Sequence, residues 1–305
     1  MFPLFHNGIT IIAKSIFLEK DSLSIEEYYV INGCQSLTSL HENKDAITDE
    51  LRVLAKFISM DPASPKARLI TEYSNNQNGV RSRDFKSNSS IQIRLQNEFN
   101  QNYKGLFSYE IKRGETSISG EPISNEEAGL YLMAFDHKEP WRTHYKYEVF
   151  EDKHSALFGR PEVTADRIVL LRVIDNEIKS QLGNLKEQLL AKYKLTRFMI
   201  IYIIQEMLSD DETFQKIVAR PQDYMRNQSS RERFRLVISG FVANIIIDIN
   251  VESDDFDENF DYRRKIKDDE WVKNLTRNME KDFKKNVARK KQDTFATEWA
   301  LLESK

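Results

Sequence analysis

The chain has 305 residues, 40% of them hydrophobic and 30% charged, with a formal net charge of −3. That length suits one large domain or two ordinary ones, and the composition is that of a globular protein with a buried core, not of a low-complexity chain. Near-neutral charge excludes a general electrostatic sponge for nucleic acid but leaves room for a local basic patch, and the single cysteine, Cys34, excludes an intramolecular disulfide.

Taken in chain order, residues 9–17 and 26–31 read as β-strands, and 51–59 alternates Val53, Ala55 and Phe57 with Arg52, Leu54 and Lys56 as a third. Residues 66–73 are expected as a fourth strand and 107–113 as a fifth, with Phe107, Tyr109 and Ile111 on one face. Between those two, 87–100 reads as a helix that Asn88-Ser89-Ser90 caps and that carries Ile91, Leu95 and Phe99 at four-residue spacing. From Ser124 the pattern turns helical. Ser124 with Glu127 has the spacing of a capping box, 127–137 follows, and Pro140 breaks it. A short helix over 149–158 stops at Gly159-Arg160-Pro161. Thr164 then opens a long one, with Ile168, Leu171, Ile174, Ile178 and Leu182 in phase. Helices over 194–208, 211–219 and 229–249 follow, and the tail over 266–302 interleaves charges with Trp271, Leu275, Met279, Phe283, Phe295 and Trp299.

These elements predict an α+β protein: a mixed strand/helix domain over 1–160 followed by an all-helical domain over 161–305. Met1–Gly8 lacks the basic start and long apolar core of a secretory signal, and the apolar runs 198–204 and 241–249 are too short to span a bilayer. No membrane association and a cytoplasmic location are expected.

Three turns stand out. Val30-Ile31-Asn32-Gly33-Cys34-Gln35-Ser36 runs from a strand through a glycine straight into a helix. Such a junction offers free backbone N–H groups to an anion, and Gln35 and Ser36 can add side-chain hydrogen bonds. The same residues also make an ordinary strand-to-helix turn, in which Asn-Gly tolerates positive φ. Asn75-Asn76-Gln77-Asn78-Gly79-Val80-Arg81-Ser82-Arg83-Asp84 gathers amides suited to base edges or sugars and guanidinium groups suited to phosphate, or else a solvated loop. Lys112-Arg113-Gly114 is a basic strand end. Cys34 lies at a helix start, where a thiol's pKa falls, but His41 is two helical turns away (about 10 Å by helix rise), so a small space-filling role is preferred. The five histidines show no metal-ligand spacing, and no metal or cofactor is expected. Tyr109-Glu110-Ile111-Lys112 contains the Glu-x-Lys of some nucleases on a β-run, a pattern short enough to arise by chance. The basic stretch 281–291 reads as the solvated face of an amphipathic helix, with Phe283 and Val287 inward.

Four motifs in order carry a resemblance: Phe5-His6-Asn7-Gly8-Ile9-Thr10-Ile11-Ile12, then Val30 to Ser36, then Asn75 to Val80 with Arg83-Asp84, then Tyr109 to Gly114. Together with Pro140-Trp141 they resemble the AIPR family, abortive-infection phage-resistance proteins of bacteria. The resemblance is strongest over 1–160. Ser36 stands where the family usually has threonine, which keeps the hydroxyl. Family members commonly carry a segment before the Asn-Gly-Ile-Thr motif, so an activity residing there is expected to be missing from this chain.

The resemblance implies phage defence. The clusters at strand ends predict that the mixed domain binds nucleic acid or a nucleotide, because ligands of open sheets bind beyond strand termini. Asn32, Gly33, Gln35 and Ser36 are assigned to phosphate, Asn76, Gln77, Asn78 and Arg83 to polar recognition, and Lys112 and Arg113 to charge neutralisation. The helical domain is assigned to self-assembly or to an upstream partner. Two alternatives stay open. One is a metal-dependent nuclease or nucleotide hydrolase in the same cleft, with Asp84 and Glu110 as its candidate carboxylates. The other is a non-catalytic interaction module.

Overall fold

Alternating β-branched and aromatic residues over Ile9–Glu19 (β1) and Ser22–Asn32 (β2) fold back as an antiparallel hairpin, with Ile11 opposite Val30 and Glu19 opposite Ser22. Ala55–Ser59 (β3) joins the other edge of β1 in parallel, giving the order β2-β1-β3. The computed structural model describes residues 8–303 apart from 21, 49, 63, 77–88, 112–119, 151–152 and 255–259. Two helices belong to this sheet: Cys34–Glu42 (α1), which leaves the end of β2, and Pro65–Asn76 (α2), which packs on β2. Residues 66–73, expected as a strand, are therefore helical. Proline in the first turn and the Ser64 hydroxyl accepting from the Ala67 N–H at 3.2 Å start a helix. The four-residue spacing of Ala67 and Thr71, both lining the hollow over β2, fits that helix and no strand period.

The chain divides by contacts into two compact units, 1–85 and 86–305, so the boundary expected at 160 lies within the second. The first unit has a thin core, Ile9, Ile12, Ala13 and Ala67, and leaves Leu18, Tyr29 and Leu54 largely exposed.

The second unit starts with Ser90–Asn102 (α3), whose cap and stripe are as expected. The Ser89 hydroxyl accepts from the Gln92 N–H, Leu95 and Phe99 are buried, and Ile91 packs on the core. Phe107–Glu110 (β4) and Glu121–Ser124 (β5) pair in parallel as a small separate sheet. From there the structure is helical: Asn125–Phe135 (α4), Ala165–Gln181 (α5), Leu195–Met207 (α6), Glu212–Ala219 (α7), Gln228–Ser253 (α8), Asp269–Ala288 (α9) and Phe295–Glu303 (α10). One-turn helices at His154–Phe158, Gln188–Lys192, Gln222–Met225 and Tyr262–Lys265 link them. An α+β protein with a strand-bearing N-terminal region and a helical C-terminal region is what the sequence predicts.

α4 and α6 are apolar nearly all round and form the centre, as such helices must. α9 buries Leu275, Met279 and Phe283 and turns Lys281, Lys284 and Lys285 outward, the amphipathic arrangement expected of the basic tail. Phe295 and Trp299 of α10 stack at 6.0 Å. Among the described residues α8 alone is long and apolar enough to cross a membrane, longer than its apolar run 241–249 suggests. Phe234, Val237, Phe241 and Ile245 on one face are buried in the core, while Leu236, Ile247 and Val251 on the other are exposed.

Close packing of α4 depends on one missing side chain. A Cβ on Gly129 would lie 2.2 Å from Cγ1 of Val149 and 3.2 Å from Cζ of Phe158. Gly129→Ala is therefore expected to lower stability by about 1–3 kcal/mol through overpacking, despite a helix-propensity gain of about 1 kcal/mol. Urea denaturation measures this. Val149→Ala in the Gly129→Ala background is expected to cost less than the two changes summed.

Candidate functional site

Gly33 sits at φ +90°, a left-handed conformation that side chains rarely adopt, and it caps α1 with no side-chain hydrogen bond. A Cβ there would lie 2.9 Å from the carbonyl oxygen of Gly8 and 3.0 Å from Cα of Ile9. Gly8 is itself at φ +85°, with its missing Cβ 3.1 Å from the Leu54 carbonyl oxygen, which accepts from the Ile9 N–H at 2.9 Å. Gly8, just before β1, and Gly33, just after β2, thus approach each other at one end of the sheet, where β3 also begins.

The first α1 hydrogen bond runs from the Leu37 N–H to the Gly33 carbonyl at 3.0 Å, so the N–H groups of residues 34–36 lie ahead of the helix ladder. Asn32 pairs with Thr10 and is half-buried, and Ser36 lies in the first turn. Beside the turn a hollow of about 380 Å³ runs under α2, walled by Ile12, Tyr29, Val30, Ile31, Ala67 and Thr71. Cys34 is exposed, so it is not the space-filling residue expected. Its thiol lies 3.7 Å from the Val30 carbonyl oxygen.

Of the remaining sequence-predicted residues, the backbone of Gln35 lies in the first turn of α1 and that of Asn76 ends α2. Gln77, Asn78, Arg83, Lys112, Arg113 and Asp84 lie outside the described residues. Glu110 ends β4 in the second unit. Its neighbours Tyr109 and Ile111 serve the core. The buried Tyr109 hydroxyl donates to Gln92 Oε1 at 2.7 Å, and Gln92 in turn contacts the His154 ring nitrogen at 3.3 Å. Among the described residues no three His, Cys, Asp or Glu side chains converge as a metal site would require.

A charged cluster in the second unit went unread in the sequence. Arg172 on α5 reaches Glu121 at 2.6 Å and Glu127 at 2.9 Å, and donates to the Tyr131 hydroxyl at 2.9 Å. That hydroxyl donates to Asp175 at 2.7 Å, and Asp175 also holds Lys179 at 2.7 Å and Arg197 at 3.3 Å. Asp175 is fully buried. Burial pushes the Glu127 pKa up, but Arg172, Lys179 and Arg197 outweigh it and hold the carboxyl below its usual range. Burial, then Asp175 and Glu127, push the Tyr131 hydroxyl well above its usual value, so it stays a donor. The capping box is thus half-formed: the Ser124 hydroxyl accepts from the Glu127 N–H at 3.1 Å, while the Glu127 side chain turns to the cations. The readable signal was Arg172, Asp175 and Lys179 at three- and four-residue spacing inside the apolar run of α5.

Fold and site together define a two-unit α+β protein with a glycine-paired strand-to-helix turn. The family model described as AIPR protein matches residues 1–288, well past the first 160 where the resemblance is strongest, and the chain belongs to that family. AIPR proteins are abortive-infection, phage-defence proteins, and this chain shares that role. No curated protein and no solved structure matches it.

Two predictions follow from this geometry. Gly33→Ala is expected to cost the first unit about 1–2 kcal/mol for the left-handed backbone alone, with the Gly8 contact added. It should show as hydrogen exchange at the β1 and β2 amides about tenfold faster or more. Glu127→Gln is expected to destabilise the second unit by about 1.5–3 kcal/mol at pH 7, because Arg172, Lys179 and Arg197 each lose one of their carboxylate partners. A carboxyl with a lowered folded-state pKa contributes above its unfolded value of 4.5 and loses that contribution as pH falls through the folded value. The gap between wild type and variant in urea midpoints should therefore narrow below about pH 4.5.

Proposed function

We propose that this phage-defence protein binds nucleic acid or a nucleotide through the turn that starts α1. The observation that carries the reading is the Gly8–Gly33 backbone contact. It holds the turn at the α1 N-terminus in the left-handed conformation, and no side-chain cap there competes with a phosphate for the first-turn N–H groups. Asn32 and Ser36 flank the turn, and the hollow along Tyr29–Ile31 offers an apolar wall for a base or sugar beside it. Asn76, Gln77, Asn78 and Arg83 are assigned to polar recognition and Lys112 and Arg113 to neutralising the backbone. Their residue types suit phosphate and base edges. Location in the cytoplasm, freedom from membranes and assembly through the helical part belong to the same reading.

Fluorescence anisotropy with single-stranded DNA, duplex DNA, RNA and labelled nucleotides, at two salt concentrations, tests it. Arg83→Ala with Lys112→Ala is expected to weaken binding about tenfold and to reduce the salt slope by about two. Unchanged binding in that double variant sinks the assignment. Magnesium-dependent turnover of the ligand, abolished by Glu110→Gln, replaces it with the hydrolase reading.

A further inference from the structure

The second unit contains a cavity of about 710 Å³ between α4, α6 and the segment 143–146, a volume typical of small-molecule pockets. One wall is apolar, from Leu130, Leu182, Leu195 and Phe198. The charged side chains on its lining are Lys146, Lys192, Lys194 and Arg197 against Glu126 and Glu127, an excess of cations. Glu126 is taken up by Lys146 at 2.6 Å, and Glu127 by Arg172 at 2.9 Å. Lys192 and Lys194 form no ion pair among the described residues and stand exposed on either side of Tyr193, immediately before α6. No side chain caps that helix, so its positive end faces the cavity beside the two lysines.

Arg197, one turn into α6, closes the floor. Its two terminal nitrogens are held by Glu127 and Asp175, but its Nε is buried with no partner among the described residues, as is Oδ1 of Asp175.

We infer that this cavity is a binding site for a nucleoside phosphate, distinct from the strand-to-helix turn of the first unit. The phosphate lies on Lys192, Lys194 and the start of α6, and the base lies against Phe198 and the leucines. Lysines at an uncapped helix start suit a compact dianion, which Lys meets as a point charge. The aromatic and branched wall suits a flat, largely apolar body and offers nothing to inorganic phosphate alone.

Isothermal titration of the full chain with AMP, GMP, adenosine and inorganic phosphate tests the site. Saturable binding of a nucleotide is expected, with adenosine and phosphate each at least tenfold weaker. Lys192→Ala with Lys194→Ala should weaken the nucleotide tenfold or more, and Ala191→Trp, which fills the cavity from its wall, should abolish binding. Circular dichroism melts confirm that each variant is folded. If neither nucleotide binds at millimolar concentration, or if binding survives both variants, the inference is overturned. Arg83→Ala with Lys112→Ala separates the two sites. Loss of AMP or GMP binding there, with the lysine variant unaffected, moves the nucleotide from this cavity to the residues assigned to the phosphate turn. Loss of DNA or RNA binding alone leaves this cavity standing and bears only on the turn.

Discussion

The second unit depends on a set of charges gathered round the buried Asp175 and Arg172. Arg172, Lys179 and Arg197 face Glu121, Glu127 and Asp175, with the Tyr131 hydroxyl between them, and together they tie β5, α4, α5 and α6 to one another. Apolar packing alone is tolerant: α4 and α6 are apolar nearly all round, so hydrophobic burial by itself does little to select one rotation of these helices over another. Charges cannot move in that way, because a displaced helix would leave an ion stranded in a medium of low dielectric. On this view the cluster contributes less to net stability than to fixing which arrangement of helices is native.

A second set acts at the start of α5. The Thr164 hydroxyl accepts from the Arg167 N–H, Glu98 accepts from the Ala165 N–H at 2.8 Å, and Asp166 is held by Arg226 at 2.7 Å and by the Tyr103 hydroxyl at 2.7 Å. Carboxylates placed against a helix N-terminus complement its dipole. The long central helix is therefore fixed at its start by α3 and the 222–226 turn and at its middle by α4 and α6. The cavity lined by Glu127 and Arg197 sits against the middle anchor, so its floor is held rigid whatever occupies it.

Much of this was legible in the sequence where one physical signal dominated. Ser89 and Ser124 cap helices where their spacing said they would, Thr164 opens the long helix as expected, and Leu95 with Phe99 is buried as its period required. Residues 66–73 misled because Leu69, Ile70 and Tyr73 resemble a short strand, while the deciding features, Ser64 and Pro65, precede the segment. The charge cluster was invisible for a different reason: its members lie on β5, α4, α5 and α6, and only tertiary packing joins them. At the turn, Asn-Gly was readable as a junction. That Gly8 and Gly33 press against each other was not, since the hairpin register decides it.

That junction ties positions far apart in the gene to one another. Gly33 cannot accept a side chain while the Gly8 carbonyl stays where it is, Gly8 meets the Leu54 carbonyl in the same way, and relief at one contact does nothing for the left-handed dihedral at the other glycine. A lineage exploring new sequences could not pass through alanine at either codon and repair it later at its neighbour. It would have to redraw the whole junction, hairpin register included, in a single step. Laboratory diversification of this chain should accordingly recover changes in the strands and helices around the pair long before it recovers any in the pair itself.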